Sequence, residues 1–147
     1  MIRWNVRKPA TFVLCVFLIV WNLSCQRNKV SNVSKISIYF VEWSLTTFSR
    51  MSCDDLESSQ APIVITETCE IQAFVNALKN ADLTEQRDFD GLDVRICCVL
   101  EDKSGNVVAK VSFSPTSLMQ IDGNIYNTDK SLFQLVLSHL PPGYLMQ

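Results

Sequence analysis

Few residues of this 147-residue chain have the chemistry for catalysis: one histidine, six cysteines and a short acidic segment. A Ser-His-Asp or Cys-His enzyme would have to use His139, the single histidine. His139 falls near the end of a predicted helix, where the helix dipole favours an imidazolium, so we interpret it as structural. Cys69 falls in the first turn of another predicted helix, a place that favours a thiolate nucleophile, but Glu67 and Glu70 lie beside it. The sequence therefore predicts no catalytic residue.

Three aspartates cluster in the segment RDFDGLD, where Asp88, Asp90 and Asp93 surround Gly91. Carboxylates in a loop can bind Ca²⁺, so these are the candidate metal ligands of the chain. An EF-hand loop needs D-x-[DN]-x-[DN]-G and a distal glutamate, and this segment does not have that spacing. No C-x-x-C or Cys/His spacing typical of zinc occurs either. The sequence predicts a solvated acidic loop, without a metal ion or a cofactor.

The first 25 residues follow the order of an export signal. A basic segment, MIRWNVRK, precedes an uncharged apolar run of ten residues from Phe12 to Trp21. That run is half the length of about 20 residues that a membrane-spanning helix needs. The segment NLSC then places the small residue Ser24 before Cys25. This arrangement resembles the lipobox of bacterial lipoproteins, and the resemblance implies cleavage before Cys25 and attachment of lipid to that cysteine.

The lipobox resemblance divides the chain into three parts. Residues 1–24 are the signal peptide, residues 25–34 are the lipidated cysteine and a polar tether, and residues 35–147 are a single domain. As a flexible coil, the nine tether residues QRNKVSNVS would span roughly 17 Å. The resemblance implies a location in the bacterial cell envelope, anchored to a membrane and facing the periplasm or the exterior.

Charge narrows the choice of partners. The whole chain has a formal net charge of −2, with 13 basic and 15 acidic residues. Removal of residues 1–24 takes away three basic residues and no acidic one, which leaves ten against fifteen and a net charge of −5. A negative surface disfavours nucleic acid as a partner. The expected partners are the membrane, through the lipid anchor, and a protein of the envelope.

Export permits disulfides, and four cysteines remain after Cys15 leaves with the signal and Cys25 is lipidated. The four allow three full pairings: they are Cys53, Cys69, Cys97 and Cys98. Cys97 and Cys98 point to opposite faces of a predicted strand, and we expect Cys98 in the core. A Cys53–Cys69 bridge would close a loop of about 15 residues, worth roughly 3 kcal/mol. We predict that bridge.

Hydrophobic periodicity predicts two helices and six strands. The clearest helix covers residues 66–83, with Thr66 as N-cap. The second begins at Asp129 or Thr128 and ends before Pro141. Strands are predicted over residues 35–43 and 62–66, in a hairpin over residues 94–113 with Gly105 in its turn, and in a second hairpin around Asp122 and Gly123.

This order of elements predicts an α+β fold. The most economical arrangement is a two-layer sandwich, with an antiparallel sheet of about five or six strands and two helices on one face. The other face would carry Tyr39, Val41, Trp43 and Val99, which is more apolar than a bare surface should be. We expect either the loop of residues 44–60 or a partner to cover that face.

These observations favour an exported, membrane-anchored lipoprotein that acts as a non-catalytic binding or structural module of the cell envelope. In the mature chain, the helix start ITE and the hairpin IDGNIY before a closing helix resemble the layout of small bacterial lipoproteins, without a named family for the mature domain. The alternative is a small secreted hydrolase or thiol-dependent enzyme that uses His139, Cys69 or the Asp88–Asp93 loop. That alternative requires at least two of these groups to meet in one cleft.

Overall fold

The computed structural model describes residues 30–45, 49–89 and 91–146, so the predicted signal peptide, Cys25 and Asp90 lie outside the described residues. The fold is α+β, with a six-stranded antiparallel sheet and three helices packed against it, which confirms the predicted fold class. The elements are β1 (Val33–Phe40), α1 (Cys53–Ser59), β2 (Ile63–Ile65), α2 (Thr68–Asn80), β3 (Ile96–Asp102), β4 (Val107–Phe113), β5 (Leu118–Ile121), β6 (Asn124–Asn127) and α3 (Lys130–Leu137). In the sheet the strands follow the order β2-β1-β3-β4-β5-β6.

The inner face of the sheet packs against α2 and α3, as the periodicity predicts. Ile36 and Ile38 of β1 point to this face and are fully buried. Phe74 of α2 and Leu132 of α3 belong to the same cluster and are 1% and 0% exposed. Burial of one such side chain stabilises the fold by roughly 2 kcal/mol. This cluster is therefore the main hydrophobic core.

The outer face is covered by α1, which lies inside the segment predicted as a loop. The helix has only seven residues and one buried side chain, Leu56, so it has too few turns to give a periodic signal. A capping box starts it: Ser52 Oγ accepts from the backbone N–H of Asp55 at 3.2 Å, and Asp55 Oδ2 accepts from that of Ser52 at 2.8 Å. The sequence predicts that either residues 44–60 or a partner covers this face, and α1, which belongs to residues 44–60, does so.

The first strand begins two residues earlier than the predicted start at residue 35. A 3-10 turn at Val30–Asn32 leads directly into β1, and Val30 is 9% exposed and packed in the main core. Residues 30–34, which the sequence assigns to the tether, therefore include this turn and the first two residues of β1. At the other end, Trp43 lies beyond β1 and packs against Phe133 of α3, with 5.5 Å between ring centroids, instead of lying on the outer face.

One of the two predicted helix caps is correct. Asp129 caps α3, since its Oδ1 accepts from the backbone N–H of Leu132 at 2.8 Å. Thr66 is not the cap of α2, because that helix begins one residue later with Glu67 at the N-cap position and no side-chain hydrogen bond there. Ile65 is paired with Ile36 in the sheet, which leaves Thr66 as part of the connection to the helix.

Both predicted hairpin turns are confirmed. Asp122 and Gly123 have φ values of 47° and 92°, the left-handed pair that a tight two-residue turn between β5 and β6 needs. Gly105 has φ of 81° in the turn between β3 and β4. No helix in the described ranges is long and apolar enough to cross a membrane.

The β3–β4 turn contains a carboxyl group, that of Asp102, whose protonation should change the stability of the fold. The pKa of Asp102 is lowered, first by the hydrogen bond from the Asn106 side chain and then by backbone N–H groups of the turn. A lowered pKa contributes stability above the unfolded-state value of 3.8, which is lost as the pH falls through the folded-state value. We expect Asp102→Asn to remove this part of the acid sensitivity, while the amide oxygen still accepts from the turn.

Urea unfolding of wild type and Asp102→Asn between about pH 5 and pH 2 measures this effect. The stability difference between the two proteins should shrink below pH 3.8, the unfolded-state pKa. Asp88→Asn is the matched control, since Asp88 is exposed and accepts no hydrogen bond within the described ranges. A difference that stays constant over the whole pH range would contradict the prediction.

Candidate functional site

A disulfide joins α1 to the centre of the sheet. Cys53, the first residue of α1, is bonded to Cys97 of β3, with 5.4 Å between the Cα atoms. The predicted Cys53–Cys69 bridge is therefore wrong. The order of the layers explains why this bridge does not form. The helix α1 lies on the outer face of the sheet, whereas Cys69 lies in the first turn of α2, in the layer on the inner face. The sheet separates the two cysteines.

The two remaining cysteines differ in environment. Cys98 points to the inner face, is 0% exposed and lies in the main core, as predicted. Burial raises the pKa of its thiol, so the thiol stays protonated and unreactive. Cys69 is exposed and free in the first turn of α2. Cys97 was correctly expected to point away from Cys98, and that orientation was the sequence signal for its pairing on the outer face.

Apolar contacts and ion pairs add to the disulfide. Leu56 of α1 is 0% exposed and packs in an outer cluster with Val41 and Val99, which are 9% and 4% exposed. Lys110 of β4 reaches α1, with its Nζ 2.9 Å from Asp54 Oδ1 and 2.5 Å from Glu57 Oε1. The hydrogen bond to Glu57, then that to Asp54, raises the pKa of Lys110. These pairs are partly exposed and contribute little stability compared with the disulfide.

A buried arginine holds the segment that leads into α1. Arg95 is 3% exposed, and its Nη2 lies 2.6 Å from Asp93 Oδ2. The other oxygen of Asp93 accepts from the backbone N–H of Met51 at 3.1 Å, and the Met51 sulfur lies 3.5 Å from Arg95 Nη1. Arg95 Nε is buried without a hydrogen-bond partner among the described residues. The sequence pattern placed Arg95 on the outer face but did not reveal its burial.

The candidate calcium ligands do not form a cluster in the part of the chain that the structure describes. Asp93 is paired with Arg95 and accepts a hydrogen bond from the backbone N–H of Met51, while Asp88 is exposed in the loop. Asp90, the third candidate, lies outside the described residues. Within the described ranges, no three histidine, cysteine or acidic side chains are close enough to hold a metal ion.

The candidate catalytic groups lie in different places. Cys69 lies in the first turn of α2, and His139 follows α3, so both belong to the layer on the inner face of the sheet. Asp93 serves the outer face, where it is bonded to Arg95 and Met51. Within the described ranges, no hydrogen bond or ion pair joins any two of these three residues.

The C-terminal segment closes the core at the end of β1. Tyr144 is 5% exposed, and its hydroxyl donates to the backbone oxygen of Val41 at 2.5 Å. Its ring meets Phe40 edge-on at 5.5 Å. Burial raises the pKa of this phenol, so it remains a hydrogen-bond donor. The sequence pattern ends the last helix before Pro141 and contains no signal for the role of Tyr144, because its partner is distant in sequence.

A shallow cleft lies near the N-terminal end of the fold. About 420 Å³ lies between the start of β1 and the β3–β4 turn, lined by Asn32, Val33, Asp102, Lys103 and Ser104. It contains no histidine, cysteine or buried charge. We assign no chemistry to it.

Comparison with known proteins adds no relative. No protein-family model matches the chain, and neither a curated protein nor a solved structure has significant similarity to it.

Proposed function

We propose that this chain is an exported bacterial lipoprotein, anchored to a membrane through Cys25, and that its domain is a non-catalytic binding or structural module of the cell envelope. The anchor rests on the N-terminal pattern: a basic segment, a short apolar run and then Ser24 before Cys25. Its location would be the membrane surface that faces the periplasm or the exterior.

The observation that carries this proposal is the Cys53–Cys97 disulfide. Disulfides form and persist in oxidising compartments and are rare in the reducing cytosol. This disulfide links an otherwise lightly held helix to the central strand β3, which is how small exported domains compensate for a limited core. A disulfide in the domain and an export signal before it support the same compartment.

A non-catalytic role is supported by the distribution of reactive groups. His139, Cys69 and Asp93 share no hydrogen bond or ion pair within the described ranges, and Asp93 is already paired with Arg95. The alternative of a hydrolase or a thiol-dependent enzyme needs two such groups in one cleft. Because α1 covers the apolar outer face, that face does not support a partner, and any envelope protein would have to bind elsewhere.

Labelling with a radioactive fatty acid tests the anchor. Wild-type protein made in a bacterial host should be labelled and recovered with membranes, whereas Cys25→Ser should be unlabelled. Cys15→Ser is the matched control, because this cysteine lies in the apolar run and should leave labelling unchanged. Equal labelling of wild type and Cys25→Ser would refute the anchor.

A further inference from the structure

We propose that the membrane anchor fixes the orientation of the domain, with the β3–β4 turn toward the lipid surface and the β4–β5 turn away from it. This inference rests on the proposed function, since it requires the lipid at Cys25. The partner it names is the membrane itself. We call the end of the sheet that carries Val30 and the β3–β4 turn the proximal end, and the opposite end the distal end.

Strand register defines the two ends. At the proximal end Val33 pairs with Asp102, so the turn after β3 lies beside the start of β1. At the distal end Phe40 pairs with Ile96, and Ile96 pairs with Phe113, which leads into the β4–β5 turn. Lys103 and Thr116 are exposed residues in these two turns and thus mark the two ends of one strand, β4.

Packing holds Val30 at the proximal end of the domain. Val30 is 9% exposed and belongs to the main core, so the chain is held at the proximal end from this residue onward. Five residue steps separate Val30 from Cys25. Five steps span at most about 18 Å even when fully extended. The proximal end therefore lies within that distance of the anchored cysteine.

The length of the sheet decides the orientation. The distance along β1 from Val33 to Val41 is eight steps, or roughly 27 Å. A tether of about 18 Å cannot turn the domain over so that the distal end touches the lipid. Charge does not supply the orientation, because Lys35 at the proximal end is paired with Glu101 at 2.6 Å and the mature chain is acidic. The short reach of the chain supplies it.

Fluorescence quenching measures the orientation in the lipidated protein. The full chain is purified from membranes and reconstituted into vesicles of phosphatidylethanolamine and phosphatidylglycerol that contain a headgroup-nitroxide lipid. Lys103→Cys and Thr116→Cys, each made in a Cys69→Ser background, provide single labelling sites, since Cys98 is buried. We expect a fluorophore at residue 103 to be quenched severalfold more than one at residue 116.

Two further samples keep the test decisive. Cys69 follows the proximal end of β2 and is exposed, so wild-type protein labelled at Cys69 should match residue 103 without any substitution that could disturb folding. A ten-residue Gly-Ser insertion before Val30, which by itself has a root-mean-square span of roughly 17 Å, lengthens the tether and should reduce the difference between the two ends.

The outcomes separate the inference from the proposed function. Protein that floats with the vesicles but is quenched equally at both ends, or more at residue 116, overturns the orientation and leaves the anchor intact. Protein that carries no lipid and does not float overturns both. Proximal quenching that is unaffected by the Gly-Ser insertion would show that contact with lipid, and not tether length, sets the orientation, which also contradicts the inference.

Discussion

Removal of the Cys53–Cys97 disulfide should lower the free energy of unfolding by about 4 kcal/mol in the chain-entropy model. We expect this loss in the Cys53→Ala, Cys97→Ala double variant, which leaves no unpaired thiol at the site. The two cysteines are 44 positions apart, so the bond closes a loop that contains β2 and all of α2. The predicted Cys53–Cys69 bridge would have closed a much shorter loop and stabilised the fold by roughly 1 kcal/mol less.

Denaturant unfolding of the disulfide-bonded protein, with and without a thiol reductant, measures this loss. Small domains are stable by about 5–15 kcal/mol, so the double variant should unfold at a much lower denaturant concentration. Reduced wild type should resemble the double variant. Cys69→Ser is the matched control, and we expect it to change stability by less than about 0.5 kcal/mol because Cys69 is exposed and unbonded. An unchanged midpoint in reductant would contradict the prediction.

The parts of the fold that depend on neighbouring residues were predictable from the sequence. Asp122 and Gly123 form a turn because only residues that tolerate positive φ fit there, and Asp129 caps a helix three residues before its bonded amide. In both cases the residues that interact are within four positions of each other in the sequence. The inner faces of β1 and α2 were likewise predictable, because periodic burial needs no knowledge of the partner.

The parts that depend on distant residues were not predictable. Cys53 lies nearer to Cys69 in sequence than to Cys97, and this proximity favoured the wrong bridge. Only the position of α1 on the outer face excludes the Cys53–Cys69 bridge. That position depends on the packing of Leu56 in the outer cluster, with residues of β1 and β3. Arg95 was placed on the correct face, but its burial depends on Met51, which is 44 positions away.

Asp93→Ala should be strongly destabilising, because it leaves the Arg95 guanidinium buried without its charge partner. Breaking a buried ion pair costs about 3–5 kcal/mol, and we expect about 3 kcal/mol here because the Asp93 side chain is 32% exposed and water can replace part of the interaction. The variant also loses the acceptor for the backbone N–H of Met51, so the segment leading into α1 should loosen.

Arg95→Met should have a much smaller effect. Methionine fills a similar volume, removes the buried Nε that has no partner among the described residues, and leaves Asp93 partly hydrated and still bonded to Met51. Replacement of a buried ion-pair member by an apolar side chain is often close to neutral, so we expect a change within about 1 kcal/mol. The order of stability should therefore be wild type close to Arg95→Met, with Asp93→Ala well below both.

A double-mutant cycle separates the ion pair from the other contacts of Asp93. In the Arg95→Met background, Asp93→Ala should cost only the hydrogen bond to Met51, about 1 kcal/mol, so that the coupling energy between the two sites is about 2 kcal/mol. Asp93→Asn keeps an acceptor for Met51 and should lose mainly the charge interaction. If Asp93→Ala costs the same in both backgrounds, the buried arginine does not depend on Asp93, and the role assigned to this pair in holding α1 on the sheet is wrong.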